Sequence, residues 1–329
     1  MSGEIIAEVG SVHDGSFGNA CNLIDVAADV GADWVKFQTH IAEAEMIPGA
    51  PAPEHFQDEP REQYFTRTGF TESQWRKLAA HAKECGIGFL SSPFSIETIE
   101  LLERVGVHAY KVASGEVSNH PLLERIAQTG KRVFLSSGMS SWAELDTAMA
   151  ALDGGGPVVV LQCTSAYPCP PERVGLNAIA ELRERYRCTV GFSDHTTGPA
   201  APIAAVAMGA RVIEKHLTFS RLMYGSDAAC AMEPDDFRNL VGCVRDAWVM
   251  LENPVDKDDL SDVGEMKRVF EKSIVTARAL SEGHKIRTED IAFKKPGDGI
   301  SPARLGEVLG REISCPLPAD HKITPDDLL

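Results

Sequence analysis

Two histidines each follow a short apolar run with β-strand character. His195 ends the run at 191–195, and His216 ends the run at 212–216. If both runs are neighbouring strands of a parallel barrel, the two imidazoles meet at one rim. Two imidazoles with open coordination positions beside them are typical of a catalytic divalent metal site. We therefore predict a metal on His195 and His216, with His13 as a weaker third candidate.

Two lysines end similar runs and supply positive charge at the same rim. Strand alternation directs Lys36 into the barrel and directs Val35 and Phe37 outward. Lys111 repeats this arrangement. Because an unpaired buried ammonium is costly, the two lysines predict an anionic substrate. The alternative is that each lysine reaches from the rim into water.

Serine hydroxyls recur directly after four of the strand-like runs. Serine beside glycine is common turn chemistry, so one such serine indicates little. Four at one level suit a phosphate held by hydroxyls, backbone N–H groups and the two lysines. The four sites are Ser91–Ser92, Ser114, Ser136–Ser137 and Ser193.

Two carboxylates are candidates for proton transfer at this rim. Glu8 lies on the first run and neighbours Glu214 of the eighth in a closed barrel, where burial perturbs a carboxyl pKa. Glu116 lies on the loop after the fourth run, and position alone does not choose between Glu8 and Glu116. Cys163, at another strand end, is interpreted as a packing thiol, with a nucleophile as the alternative.

The alternation of strand-like and helical segments before residue 250 predicts the fold. Eight such units form a (β/α)₈ TIM barrel, an α/β fold whose site lies at the carboxyl ends of the strands. The rival doubly wound sheet lacks its glycine-rich dinucleotide loop here. The predicted strands are 5–9, 34–38, 88–92, 109–112, 133–136, 158–162, 189–192 and 212–215.

The pattern divides the chain into three parts. We predict a barrel over 1–252, an acidic linker over 253–269 and a small β-rich domain over 270–329. A segment this short buries little surface alone, so it is expected to dock on the barrel or on a second subunit. Within the barrel, the proline-rich connection 40–71 has no periodicity and is predicted to be a rim loop or lid.

Composition limits the possible partners. The 329 residues carry a net charge of -16, which argues against a nucleic acid or an anionic membrane as partner. The sequence shows neither a secretion signal nor an apolar run that crosses a bilayer, so a cytoplasmic protein is expected. The eight cysteines show no CxxC pair and no zinc-ligand spacing, so they are expected to be reduced.

Eight motifs in order along the chain resemble the N-acetylneuraminate (sialic acid) synthase family. They occupy residues 6–10, 35–40, 91–95, 110–116, 135–139, 162–168, 191–196 and 214–216. The tail, through 273–275 and 295–299, resembles the antifreeze-like (SAF) β-clip domain that follows the barrel in that family. The resemblance covers almost the whole chain.

This resemblance implies an enzyme, a transferase that condenses phosphoenolpyruvate with an open-chain N-acetylated aminohexose, usually N-acetylmannosamine. The products are a nine-carbon 2-keto sugar acid and phosphate, which leaves by C–O cleavage. A divalent ion on His195 and His216, Mn²⁺ or alternatively Mg²⁺ or Co²⁺, activates the aldehyde. Family members are typically domain-swapped homodimers.

The resemblance also implies roles for individual residues. The catalytic set is Glu8, Glu116, His195 and His216, with Glu8 orienting or deprotonating the attacking water. The phosphoenolpyruvate set is Lys36, Ser92, Lys111, Ser114, Ser136 and Ser193. The sugar set is Gln38, Glu116, Tyr167, Asp227 and Lys295.

Two departures from the family pattern leave the sugar open. Lys295 replaces an arginine that usually contacts the sugar, and a lysine lacks the planar guanidinium fork. Val12 replaces an asparagine before the first-strand histidine. Synthases of legionaminic acid, pseudaminic acid or a spore-coat sugar are therefore alternatives. Two further hypotheses are a Schiff-base aldolase using Lys36 or Lys111 and a non-catalytic sugar-binding barrel.

Overall fold

The computed structural model describes residues 3–52 and 58–329 of the chain. It contains two compact units, of which the first ends at Asn253 and the second spans Pro254–Leu329.

Within the described part of the first unit, eight parallel strands close into a barrel in sequence order. Each strand pairs with the next, and the last pairs with the first. This confirms the predicted TIM barrel. The strands are β1 Glu4–Gly10, β2 Trp34–Thr39, β3 Gly88–Pro93, β4 Ala109–Val112, β5 Arg132–Ser136, β6 Val158–Cys163, β7 Thr189–Asp194 and β8 Val212–His216.

Helices follow the strands and cover the outside of the barrel. Several begin at the signals that predict them, such as the capping boxes of Thr71, Ser95 and Ser141, which satisfy free N–H groups of the first turn. Among the described residues, no helix combines the length and apolar character that crossing a bilayer requires. The helices are α1 Phe17–Asp29, α2 Ala42–Glu45, α3 Arg61–Thr68, α4 Glu72–Glu84, α5 Ile96–Val105, α6 His120–Ala127, α7 Trp142–Ala151, α8 Ala178–Tyr186, α9 Ala200–Ala207, α10 Pro234–Glu252 and α11 Gly264–Phe270.

The connection predicted as a loop over 40–71 contains α2 and α3, which corrects that prediction. Tyr64 and Phe65 of α3 are buried. The His40 ring stacks between Phe65 and Phe94, with ring centroids 3.6 and 4.1 Å away. A helix of eight residues with so few buried positions is too short to give a clear periodic pattern. Residues 53–57 of this connection lie outside the described residues.

Two apolar layers hold the barrel together. Outward side chains such as Val35 and Phe37 pack beneath the helices in the larger core. A smaller cluster fills the interior below the carboxyl ends of the strands, so the barrel is packed there rather than open. This inner cluster consists of Ile6, Leu90, Ala109, Phe134, Val159, Leu161 and Val212, with Trp34 against it.

A buried ion pair joins β7 and β8 on their outer face. Lys215 and Asp194 are register partners, and Nζ lies 2.5 Å from Oδ2 with both side chains fully buried. Lys215 also donates to the carbonyl oxygen of Thr196. The N–H of Thr196 in turn donates to Oδ1 of Asp194 at 2.9 Å. These contacts fix the turn in which His195 lies.

The second unit begins with a 3₁₀ turn over Ser261–Val263 and helix α11. Its antiparallel strands are β9 Ser273–Thr276 and β10 Ile291–Lys294. Its apolar core is small, as the length of the segment predicts. The core residues are Ile274, Leu280, Ile286, Ile300, Val308, Ile313, Leu317 and Ile323.

Replacing Lys215 by methionine should destabilise the barrel, because the Asp194 carboxylate then stays buried without its cation. Removing one member of a buried ion pair costs about 3–5 kcal/mol of the free energy of unfolding. Urea unfolding followed by tryptophan fluorescence measures this change in the first unit, since all four tryptophans precede residue 254.

Arg76→Met is the matched control, because Arg76 pairs with Glu72 on the exposed face of a helix, where an ion pair contributes little. The double variant Lys215→Met with Asp194→Asn should recover part of the loss, since no charge is then left unpaired. If the Lys215 and Arg76 variants lost equal free energy of unfolding, the buried ion pair would stabilise the barrel no more than the exposed one does.

Candidate active site

A cavity of about 800 Å³ opens at the carboxyl ends of the barrel strands. Each strand directs at least one polar side chain into it, because alternate residues of a barrel strand face the interior. In strand order these side chains are Glu8, Lys36, Ser92, Lys111, Ser136, Cys163, Ser193 and Glu214.

Three buried ions meet on one side of this cavity. Nζ of Lys36 lies 2.8 Å from Oε1 of Glu8 and 3.7 Å from Oε1 of Glu214. Burial raises the pKa of Glu8 in spite of Lys36. Burial acts in the same direction on Glu214, but Lys111 and Lys36 outweigh it and lower the pKa of that carboxyl. Glu8 is therefore the carboxyl that accepts a proton more readily.

Lys111 is a buried cation without a contacting anion. Its Nζ donates to Oγ of Ser136 at 2.6 Å and to the carbonyl oxygen of Val112 at 3.0 Å. Among the described residues, no carboxylate forms an ion pair with it, whereas Lys36 has two such partners. Burial lowers the pKa of Lys111. An anion beside this ammonium would offset that cost of burial.

Hydroxyl groups surround the space beside the lysines. Oγ of Ser92 lies 3.3 Å from Nζ of Lys36. At Gly138, an added Cβ would lie 2.5 Å from Oγ of Ser114 and 2.7 Å from Oγ of Ser165. The loops after three strands thus converge so closely that a side chain at position 138 would fill the space between the hydroxyls.

The two predicted metal ligands lie close together, on the side of Glu8 that is opposite Lys36. The ring centroids of His195 and His216 are 5.4 Å apart. Nδ1 of His195 lies 2.9 Å from the carbonyl oxygen of Thr164, so it donates there and leaves Nε2 for a ligand. Burial lowers the pKa of His216 to about 4, so this imidazole is neutral, as a metal ligand must be.

Five buried polar atoms around the cavity have no hydrogen-bond partner among the described residues. They are Oε2 of Glu8, Oγ of Ser165, Oε2 of Glu214, Nδ1 of His216 and Oδ2 of Asp227. Unsatisfied buried groups are rare and costly in folded proteins. Imidazole nitrogen and carboxylate oxygen are donors that suit Mn²⁺ and similar ions. This donor set therefore fits a divalent cation on His195 and His216.

Of the other residues predicted for the site, some line the cavity and some do not. Gln38, Tyr167 and Asp227 line the cavity, and the Tyr167 ring lies 4.1 Å from that of His195. Glu116 is not among the lining residues; its Oε2 accepts a hydrogen bond of 2.9 Å from Asn119.

Two other predicted residues lie elsewhere. His13 is buried outside the cavity with its ring centroid 4.6 Å from that of Phe70, so the expectation of a third ligand was wrong. Burial lowers its pKa to about 4. Lys295 belongs to the second unit, where its Nζ lies 4.9 Å from the centroid of Phe270.

The cavity also contains charged residues that the sequence pattern does not reveal. Arg61 of α3 and Arg173 of a 3₁₀ turn both line it, as does the stacked ring of His40. Arg61 and Arg173 lie on connections after strands, where neither strand alternation nor a motif predicts the direction of a side chain. The sequence points to these residues only through the general rule that the connections after the strands build the active site of a TIM barrel.

Comparisons with known proteins match both parts of the chain to the same kind of enzyme. The NeuB family model matches residues 23–256, and the SAF domain model matches residues 271–329. N,N'-diacetyllegionaminic acid synthase of Campylobacter jejuni is 35% identical over 316 residues, which cover 93% of this chain and 94% of that protein. Human N-acetylneuraminate-9-phosphate synthase is 32% identical, with 97% of this chain and 90% of that protein covered.

A solved structure gives the same result. The N-acetylneuraminic acid (sialic acid) synthetase of Leptospira borgpetersenii serovar Hardjo-bovis, in complex with citrate, superimposes with a TM-score of 0.72 at 31% identity. The match covers 81% of this chain and 91% of that one. The chain therefore belongs to the NeuB family, carries a SAF domain at its carboxyl end, and is an enzyme of the synthase class that its named relatives represent.

Proposed function

We propose that this protein condenses phosphoenolpyruvate with an open-chain N-acetylated aminohexose to give a nine-carbon 2-keto sugar acid and phosphate. The observation that carries the proposal is the ammonium of Lys111, which is buried at the cavity and contacts hydroxyl and carbonyl oxygens but no carboxylate. A small phosphorylated carboxylic acid supplies the missing negative charge. Glu214 interacts with this ammonium through space, but no carboxylate of the described cavity lies in ion-pair contact with it.

In this proposal the lysines and serines bind phosphoenolpyruvate. Lys36 and Lys111 neutralise its negative charge, while hydroxyls and the backbone near Gly138 donate hydrogen bonds to its phosphate. Lys36 stays protonated because Glu214 and Glu8 raise its pKa against the effect of burial. The hydroxyl donors are Ser92, Ser114, Ser136 and Ser193.

His195 and His216 would hold a divalent ion, with Mn²⁺ first and Mg²⁺ or Co²⁺ as alternatives. When bound, the ion supplies Lewis-acid polarisation of the sugar aldehyde. The two histidines and Tyr167 orient the aldehyde toward C3 of phosphoenolpyruvate, which forms the new carbon–carbon bond at the aldehyde carbon. Positioning of the two substrates contributes a large part of such a rate enhancement.

Glu8 lies between the lysines and the two histidines, and it accepts a proton from the attacking water. Water adds to C2, which has lost its double bond to C3, and Glu8 accepts the proton that the water releases. The C2–O bond to phosphate then breaks, and the hydroxyl on C2 gives its proton to the departing phosphate as the keto group forms. The proton held by Glu8 passes to the former aldehyde oxygen, which becomes a hydroxyl group. The raised pKa of Glu8 brings it closer to the range in which a carboxylate accepts a proton from water.

The sugar side of the proposal rests on fewer contacts. Gln38, Tyr167 and Asp227 face the cavity and would contact the aminohexose. Lys295 would join them from the SAF domain of a second chain in a domain-swapped homodimer. N-acetylmannosamine is the first candidate acceptor; precursors of legionaminic acid, pseudaminic acid or spore-coat sugars are the alternatives, since the relatives' names differ in the sugar acid.

Phosphate release should require both an aminosugar and a divalent ion. Metal-stripped protein supplied with Mn²⁺ and phosphoenolpyruvate is expected to release phosphate only when an accepted N-acetylaminohexose is added. A panel of such sugars with mass spectrometry of the product identifies the acceptor. With ¹⁸O in the oxygen that bridges C2 and phosphorus, the label should appear in phosphate. Release without sugar, or with the label retained in the sugar acid, would exclude this reaction.

Lys111→Met should weaken use of phosphoenolpyruvate, because a charge-assisted hydrogen bond contributes about 1.5–3 kcal/mol. The expected loss is roughly 10- to 100-fold in kcat/KM for phosphoenolpyruvate. The control is Lys131→Met, since Lys131 pairs with Glu103 away from the cavity. Borohydride with pyruvate should leave the wild-type enzyme active; an adduct on Lys111 would support the Schiff-base aldolase instead.

Glu8→Gln should lower kcat by roughly 10²–10⁴-fold, because an amide of the same shape does not accept a proton. Binding of phosphoenolpyruvate, measured by calorimetry, should change far less. Glu116→Gln is the matched comparison and should retain most of the activity, since Glu116 does not line the cavity. A larger loss of kcat in the Glu116 variant than in the Glu8 variant would reverse the assignment of the base.

A further inference from the structure

A second cluster of metal-ligand side chains lies on the helical outside of the barrel. Asp25 of α1, His81 of α4 and Cys85, which caps the carboxyl end of α4, bring an oxygen, a nitrogen and a sulfur within 4.8 Å of one another. Helices α1 and α4 pack against each other, so both halves of the cluster are held by regular structure. The proposed condensation uses none of these residues.

The separations between the three atoms suit a tetrahedral ion. Zinc with bonds of about 2.0–2.3 Å holds its ligand atoms about 3.3–3.8 Å apart. Sγ of Cys85 lies 3.3 Å from Oδ1 of Asp25 and 3.8 Å from Nε2 of His81. Nε2 of His81 lies 2.7 Å from Oδ1 of Asp25. This last contact is a hydrogen bond, which would open by about 0.6 Å to meet the same geometry.

The local structure orients these ligands and leaves them open to solvent. His81 and Cys85 are four residues apart at the carboxyl end of α4, which places them on one face; the N–H of Cys85 donates to the carbonyl oxygen of His81 at 2.9 Å. Asp25 is exposed, whereas His81 and Cys85 are partly buried. An ion can therefore reach the cluster without unfolding either helix.

Thiolate, imidazole and carboxylate together favour zinc over manganese, which prefers oxygen ligands.

We propose that Asp25, His81 and Cys85 form a zinc site that joins α1 to α4. The site lies toward the amino ends of the strands, opposite the catalytic cavity, because Asp25 is in the second half of α1 and Cys85 directly precedes β3. The face of a TIM barrel at the amino ends of the strands usually contributes to stability rather than to catalysis. The zinc site is independent of the proposed condensation.

Co²⁺ binding to the reduced, metal-stripped full-length protein tests the proposal. A thiolate ligand gives cobalt an intense near-ultraviolet charge-transfer band. Because Cys163 lies 3.9 Å from Nδ1 of His195 in the catalytic cavity, Cys163→Ser is the matched control. We expect the band in wild type and in Cys163→Ser, its loss in Cys85→Ser, and its displacement by Zn²⁺.

Two further readouts separate this site from the catalytic one. Zn²⁺ should raise the Tm of the tryptophan-reported unfolding more in Cys163→Ser than in Cys85→Ser, because only Cys163→Ser keeps the thiolate ligand of the second site. With Mn²⁺ present, Cys85→Ser should keep the wild-type rate of phosphate release. A band that persists in Cys85→Ser but disappears in Cys163→Ser would assign the thiolate to the catalytic cavity and overturn the proposal. The absence of any band in wild type would leave only a hydrogen-bonded ion pair and would also overturn it.

Discussion

The need to neutralise charge inside a closed barrel determines how its carboxyl end is arranged. Apolar side chains fill the interior below, so the ammonium and carboxyl groups above them have little water to solvate them. Strand register satisfies this need: Glu8 is opposite Lys36 of β2 on one side and opposite His216 of β8 on the other. The strand that carries Glu8 thus separates a sector of lysine side chains from a sector of imidazoles.

The fold and most of these contacts follow from alternation along the strands. Residues of one parity on β7 and β8 face the cavity, and residues of the other parity, Asp194 and Lys215, form an ion pair under the helices. Because both faces are polar there, the apolar pattern predicts β7 to end at residue 192, two residues before its end. The position of Glu214 beside Lys36 follows from closure of the barrel, which joins the first and last strands.

Other parts of the structure depend on contacts that no local pattern contains. Arg61 and Arg173 reach the cavity from connections whose paths depend on tertiary packing. His13 follows β1 as His195 follows β7, yet its ring packs in an aromatic core. Asp25 and His81 are 56 positions apart in sequence, so no ligand spacing indicates that they meet; only the packing of α1 on α4 brings them together.

The aromatic stack of His40, Phe65 and Phe94 has a consequence for evolution of the family. It is one of the contacts that attach the connection after β2 to the barrel, whereas Lys36, Lys111 and Ser136 lie on the strands themselves. Substitutions within that connection can reshape the chamber for a different acceptor without disturbing strand register. Changes in the shape of the chamber are therefore expected to come from this connection, while the charged residues on the strands keep their positions.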